Sequence, residues 1–526
     1  MFLQLELLYF VLMIGAFIVL LLFAKLPSGL CMMISSLFGG VLSAIISKTP
    51  IGLRYFIEGT FGYFDTILVI TTAMIFIGMM QATGALDYLS VALVKAFRKF
   101  PSLLLIVFMI IIMFPGMVTG SSLASAIATG TIVAPIMIKW GIPKRRVGAI
   151  VGVGAILGMV APPINVPAMV VCDVVDIPFT GFTLPLLLVS LPIAIISVLL
   201  MGRKFVKPIA KDEIENVVDT SITREINWTC MLPLVLLVVF IVLEMIFPSI
   251  FGTLAMPAMF TICTILGCFL GRKLKFFKKQ SVVEVEEEVD ENGEIVIVKT
   301  TKENEKPESI VEVVRQGVAK SFGAMGLLMG VGMFMETITL NGVRGYFVTN
   351  AISLPNIWAY VGMGVSLPLF GGISAFGSAS MLGGPFVMAL NGISDNIFAT
   401  CGLSLLAAIG EFSPPTAMSA NFAAEVVGEK KWAKISVQAL PSLAMILAYG
   451  MVYIAWFGKL VQKAQNKDLT KIVLFAVMMG LATIFAFVFG FIFRAVNAHK
   501  APAYAVEAAE EATEEAAEEP AVVEEV

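Results

Sequence analysis

The chain has 526 residues, 58% of them hydrophobic and only 14% charged, with a mean hydropathy of +0.94. Soluble domains hold about 45–50% apolar and about 25% charged residues, so a soluble globular protein is excluded. The apolar runs are continuous rather than alternating over about 10 residues, which excludes a membrane β-barrel as well. The net charge of −3 hides an asymmetry. Nine Glu stand in the last twenty residues, and without them the chain goes from −3 to +6. A basic membrane body fits short cytoplasmic loops rich in Lys and Arg.

A span needs about 20 mostly apolar residues, and roughly a dozen segments qualify. The first two are predicted at 7–24 and 30–46, the first as a retained span because no basic n-region or A-x-A site accompanies it. An amphipathic connector at 54–61 precedes a span at 64–80. A basic loop at 95–99 leads to 101–117, then to a stretch at 121–137 full of Ala, Ser, Thr and Gly. Such a stretch suits a re-entrant hairpin packed inside protein rather than facing lipid. The segment 147–160 runs until Pro162-Pro163, where two missing amide donors end the helix. An irregular stretch to Asp176 and a span at 184–201 follow.

Two plain spans are predicted at 228–247 and 254–270, with basic residues at both ends placing the flanking loops in the cytoplasm. Residues 281–302 alternate with period two around Asn292-Gly293, a strong β-hairpin signal. In the second half, spans at 323–338 and 357–369 precede FGGISAFGSASMLGGPF at 370–386, and 402–412 leads to Ser413-Pro414-Pro415. Spans at 435–457 and 472–493 and an Ala/Glu-rich tail close the chain. The divisions are thus 1–270 for a first half, with a hairpin about 118–140 and a break at 162–163, and 271–316 for an acidic cytosolic linker. A second half spans 317–457, with a hairpin about 371–390 and a break at 414–415. An extra span at 458–497 and a disordered acidic tail at 498–526 complete them.

The repetition carries the functional reading. Each half has a Gly/Ser-rich interruption followed roughly forty residues later by Pro-Pro inside an apolar run. Two broken-helix elements at corresponding places point to a solute site near the bilayer midplane. A helix that stops inside the bilayer presents amides at one end, which attract carboxylates, and carbonyls at the other, which bind Na⁺. On this reading Thr119, Gly120, Ser121 and Ser122 face Pro162, Pro163 and Asn165. In the other half Ser374, Gly377, Ser378 and Ser380 face Ser413, Pro414, Pro415, Thr416 and Asn421. Small residues also pack helices tightly, but two such motifs, each followed by Pro-Pro, favour function over packing.

Glu411, one turn before the second Pro-Pro, is an intramembrane carboxylate and so a functional candidate. It reads as a cation ligand, a proton carrier, or an interfacial group bonded to backbone. Asp173, Asp176, Glu336 and Asp395 lie nearer helix ends, where solvated or capping roles are expected. The six cysteines sit singly in apolar runs and read as small buried hydrophobes, with no metal site. No GxxxxGK[ST] or HExxH motif is present, and the lone His499 lies past the last span, so an enzyme is not expected.

Three segments then identify a family. FIGMMQATGALDYL at 76–89, GMVTGSSLASAIATGTIVAPIM, and GAILGMVAPPINVPAM with its Leu-Gly-x-x-x-Pro-Pro break occur in order. Together they resemble the large, DctM-like membrane subunit of tripartite ATP-independent periplasmic (TRAP) transporters, over about residues 5–455. That resemblance implies an all-α polytopic membrane protein with two inverted repeats, re-entrant hairpins and broken helices, in which both hairpins ride on an elevator-type moving domain. It implies a bacterial cytoplasmic-membrane importer of a small organic anion, of the C4-dicarboxylate, keto-acid or sugar-acid kind. Na⁺ would be the coupling ion, with no other cofactor. The expected partners are a small four-span membrane subunit, an extracytoplasmic solute-binding protein and membrane lipid, with no nucleic acid. The region after 455 is too short to be the small subunit fused on. Ser413 stands where the family has Thr, the second hairpin is richer in Gly and Ser, and the acidic insert, last span and tail are extra. The alternative is a stand-alone Na⁺- or H⁺-coupled carrier or antiporter of the wider ion-transporter superfamily.

Overall fold

The structure is a computed structural model. It describes residues 2–24, 26–48, 52–210, 228–246, 256–274, 281–289, 295–303, 309–353, 355–391 and 393–457, with 214, 218 and 459 besides. The Asn292-Gly293 turn, the span expected at 472–493, His499 and the acidic tail lie outside these residues.

Helix dominates, for the reason that in lipid each span must satisfy its own backbone groups. Among the described residues, eight helices are long and apolar enough to cross a membrane, and shorter apolar helices stand between them. The count covers the described residues alone and so leaves out the span expected at 472–493; within them, Pro and Gly cut the broken elements into pieces shorter than a bilayer.

The chain opens with α1 (Phe2–Leu22), α2 (Ser28–Ser47), α3 (Leu53–Phe61), α4 (Phe64–Ala82) and α5 (Ala85–Phe97). Then come α6 (Pro101–Thr119), α7 (Ser122–Ser125), a π turn at Ala126–Gly130, α8 (Thr131–Lys139), α9 (Lys144–Met159), α10 (Val166–Val175) and α11 (Thr183–Gly202). The same succession returns. The helices α12 (Leu232–Ile246), α13 (Met256–Leu274), α14 (Ile310–Leu340) and α15 (Val343–Ser353) repeat the first five, with α14 spanning in one piece what α3 and α4 span in two. Next are α16 (Asn356–Gly371), α17 (Ala375–Ser378), a second π turn at Ala379–Gly383, α18 (Gly384–Leu390), α19 (Asn396–Ile409), α20 (Met418–Val427) and α21 (Trp432–Val452).

Three expectations change. The segments α12 and α13, assigned above to a first half ending at 270, stand where α1 and α2 stand in the repeated order, so the second succession begins near 228. The span expected at 323–338 is part of the 31-residue α14. The stretch from Asn165 to Asp176 is helical rather than irregular. Asn165 caps it through Ala168 N, and Pro167 sits in its first turn, where a missing N–H costs nothing. Between α13 and α14, β1 (Ser281–Val289) and β2 (Ile295–Glu303) pair antiparallel, Ser281 opposite Glu303 and Val289 opposite Ile295.

The elements form two bodies. In the outer one, α14 packs along α2, α3 and α4, and α13 packs on α4. The contact is close enough to bring main chains together: a Cβ on Gly332 would stand 2.0 Å from the Gly59 carbonyl oxygen. In the inner body the repeats interlock, with α9 packed on α20 and α21, and α19 on α10 and α11. The Tyr449 and Tyr453 hydroxyls donate to Leu188 O at 2.5 Å and Pro185 O at 2.8 Å, pinning α21 to α11. Large apolar side chains such as Val19, Ile45, Ile57 and Val365 are exposed outward, as lipid contact requires.

At one end of the inner body Arg145 Nε donates to Glu429 Oε2 at 3.0 Å, both side chains largely buried, with Lys434 Nζ 3.8 Å from the other oxygen. Burial alone would push the Glu429 carboxyl up, but the Arg145 hydrogen bond and the charges of Lys434 and Arg145 hold it below the ordinary carboxylate range. A depressed folded-state pKa stabilises above the unfolded value and is lost as pH falls through the folded one. Acidification below about pH 4 is therefore expected to lower the melting temperature of the detergent-solubilised protein, by less in Glu429→Gln. In the outer body Gly332→Val should cost about 1–3 kcal/mol or more through overpacking. Gly345→Ala, whose Cβ meets nothing within 4 Å, should stay within about 0.5 kcal/mol.

Candidate functional site: two hairpins, two helix breaks and a cavity

Each hairpin starts the same way. After α6, Gly120 takes a left-handed conformation, φ 62°, and Ser121 is extended and accepts from Ala124 N. A Cβ at Gly120 would lie 2.4 Å from Val166 Cγ2, so both the turn and the space require glycine there. After α16, Ser374 is likewise extended and accepts from Gly377 N at 3.2 Å. Each arm then carries a π turn one turn further on. Such a turn frees carbonyls from the regular ladder, and Ala128 O takes a bond from Gln81 Nε2 of α4 at 3.2 Å.

The breaks follow the same plan. The Pro162-Pro163 and Pro414-Pro415 bonds are both cis. At the first break, Ile164 N donates to Met117 O at 3.2 Å, placing the end of α6 against it as expected for Thr119 and Gly120. Thr119 is buried, with its hydroxyl donating to Pro115 O. Pro162 is buried and Pro163 half-buried. Asn165 Nδ2 donates to Val160 O at 3.0 Å and to Ser404 Oγ of the other half at 2.8 Å.

At the second break the expected partners are partly wrong. Ser378 Oγ donates to Leu367 O at 2.8 Å, and Ser380 Oγ lies 3.1 Å from the Tyr63 hydroxyl of the outer body. Gly377 faces Met32, whose Cε would be 2.8 Å from an added Cβ. Gly377 and Ser380 turn from the break toward the outer body, and Ser378 turns to the main chain of α16. What meets the break is the end of α16: Gly372 O accepts from Thr416 N at 3.2 Å and Thr416 Oγ1 at 2.8 Å. A Cβ on Gly371 would stand 2.1 Å from Ala407 O, so α16 and α19 cross in main-chain contact. Asn421 is exposed and steadies the break through Thr416 O at 2.7 Å, while Ser413 and Pro415 are half-buried and Pro414 is exposed.

Glu411 joins the halves. Ser122 Oγ of the first hairpin donates to its Oε2 at 2.6 Å, and Ser419 Oγ of α20 to the same oxygen at 2.5 Å. Its side chain is 4% exposed. This carboxylate lines a cavity of 390 Å³ between the two bodies, together with Ser121, Ser122, Ser374, Thr416 and residues 322–327 of α14. Sequence reasoning did not single out Ser419, Ser404, Gln81 or Gly371-Gly372, although Gln81 and the glycine pair lie within the segments 76–89 and 370–386. The alternation of Glu411 with Ser419 across a Pro-Pro break was the one available hint. Of the other acids, Asp395 caps α19 through Ile397 N and Phe398 N, and Asp173 and Asp176 are exposed. All six cysteines are buried and free.

A many-span helical body with two broken-helix units around an internal cavity defines a membrane transporter. The chain belongs to the family described as the DctM component of the tripartite ATP-independent periplasmic transporter, which it matches over residues 14–460. No curated protein matches it in sequence. Among solved structures it is similar to the Alcanivorax borkumensis YdaH transporter, at 15% identity, covering 77% of this chain and 89% of that one with a TM-score of 0.49. It is likewise similar to Neisseria gonorrhoeae MtrF, at 13% identity, 79% and 84% coverage and a TM-score of 0.49.

Hydrogen bonds to a charged group contribute about 1.5–3 kcal/mol, neutral ones about 0.5–1.5. Ser419→Ala should therefore cost about 1.5–3 kcal/mol in unfolding titrations, and only about 0.5–1.5 in a Glu411→Gln background.

Proposed function

We propose that the chain is the permease subunit of a secondary active transporter importing a small organic anion, driven by a Na⁺ gradient. The substrate is of the carboxylate or C4-dicarboxylate type. An extracytoplasmic solute-binding protein delivers it, and a small four-span subunit completes the complex in the bacterial cytoplasmic membrane. One observation carries the reading: hydroxyls from both hairpins and the second break, Ser121, Ser374 and Thr416, line one cavity. Both hairpin arms begin there, so the amide-rich ends of two helical segments are aimed where a carboxylate would lie. The carbonyl ends of α6 and α16 reach the two breaks, the arrangement that suits a coupling Na⁺. The repeated order of elements and the reciprocal packing of α9 and α19 support two inverted repeats. On this reading the inner body moves as a unit against α14 and α2, in the manner of an elevator.

Thermal unfolding of the purified chain in Na⁺, K⁺ and choline at equal ionic strength tests the coupling ion. An ion bound only by the folded state stabilises it by about 2.7 kcal/mol at a hundredfold excess over its Kd. Na⁺-specific stabilisation that is lost in Ser121→Ala or Thr416→Ala is expected. Equal melting in the three salts overturns sodium coupling. Uptake into vesicles without the solute-binding protein, at the rate seen with it, overturns the tripartite assembly.

A further inference from the structure

We propose that the solute carried through this cavity bears a positively charged nitrogen, which pairs with Glu411. The inference rests on the reading of the cavity as the solute site and narrows the substrate from a plain organic acid to one carrying an ammonium or similar cationic group.

The charge balance of the cavity points there. Among the described residues that line it, Glu411 is the one ionisable group, with no Lys, Arg or His beside it. The nearest basic side chain given a partner along α14, Lys320, is engaged with Gln81 Oε1 at 3.3 Å and does not line the cavity. A carboxylate taken out of water without a counter-charge costs several kcal/mol, and the same group receives a cationic ligand favourably. Ser122 and Ser419 both donate to Oε2, which holds the carboxyl as an acceptor in one orientation and leaves Oε1 available to a ligand. A dicarboxylate with no nitrogen would instead bring like charge against Glu411, and no described lining residue carries a positive charge to offset it.

The remaining lining fits the same ligand. Phe322, Phe376 and Phe422 contribute rings, and aromatic faces attract ammonium groups. Ser121 and Ser374, whose oxygens accept from Ala124 N and Gly377 N, keep their hydroxyl protons for the acid end of the solute. At 390 Å³ the cavity falls within the range of about 300–1,000 Å³ typical of small-molecule sites. A zwitterion, acid at the hairpin starts and nitrogen at Glu411, matches the free hydroxyl protons of Ser121 and Ser374 and the one carboxylate among the described lining residues.

Charge-selective thiol labelling tests this without knowledge of the substrate. Leu123→Cys and Met418→Cys place single reactive thiols beside the two serines that hold Glu411. The full chain, reconstituted in saturating Na⁺, is treated with a trimethylammonium or a sulfonate methanethiosulfonate reagent. Rates are normalised to a free thiol and to the background of the six native cysteines. The expected result is labelling about tenfold or more faster with the cationic reagent, an advantage lost in Glu411→Gln. Equal rates, a faster anionic reagent, or a preference that survives Glu411→Gln overturns the inference and leaves the organic-acid reading intact. A preference seen in choline but abolished by Na⁺ also overturns it, because Glu411 then serves the coupling ion. No labelling at either position removes the cavity as the solute site, and the proposed function loses its site with it. The salt-dependent melting would stand apart from that result.

Discussion

A polar main chain cannot be left open inside an apolar slab, and this one constraint organises the molecule. At each Pro-Pro the helix stops within an apolar run, and the amides and carbonyls it leaves open are met by protein. Asn165 serves Val160 O and Ala168 N at the first break. At the second, Thr416 folds back on Gly372 O with both amide and hydroxyl. Glycines at the crossings, Gly371 against Ala407 and Gly120 against Val166, let the broken ends lie close enough for these bonds to form. Without such partners two helix breaks in the membrane would be untenable.

Satisfying the breaks also ties the halves together. Asn165 reaches Ser404 and Glu411 reaches Ser122, each across the repeat boundary. With Arg145 on Glu429 at one end and the tyrosines of α21 on α11, the inner body is bonded throughout its depth. Its polar contacts to the outer helices include those at the π turns, where Ser380 meets Tyr63 and Ala128 O meets Gln81, and the bond from Arg344 of α15 to Val174 O of α10.

The cavity lies on the seam between those bodies, and its single carboxylate gives it an electrostatic character that the family resemblance did not suggest. Glycines and hydroxyls there offer dipoles without fixed charge, so the one fixed charge dominates the field a solute would meet.

The membrane class was legible in the residues, as were the Gly/Ser clusters and Pro-Pro pairs that interrupt the apolar runs. Each is a local property: long apolar runs, small-residue clusters, prolines that remove donors. Where local signals were mixed, the reading slipped. Asn165-Val-Pro looked like a continuation of the break but caps a helix, and the boundary between halves was drawn two helices late, since α12 and α13 have no motif. Ser378 and Ser380 sit in the right motif yet point away from the break, because a rotation of about 100° per residue decides which hydroxyl faces which body. Which serine binds Glu411, which helix supplies the cavity wall, and the absence of a lining cation came only from the folded chain. Those facts depend on contacts between residues such as 122 and 411, 289 positions apart. No local pattern encodes such a pairing, because it exists only once two separately folded units have packed.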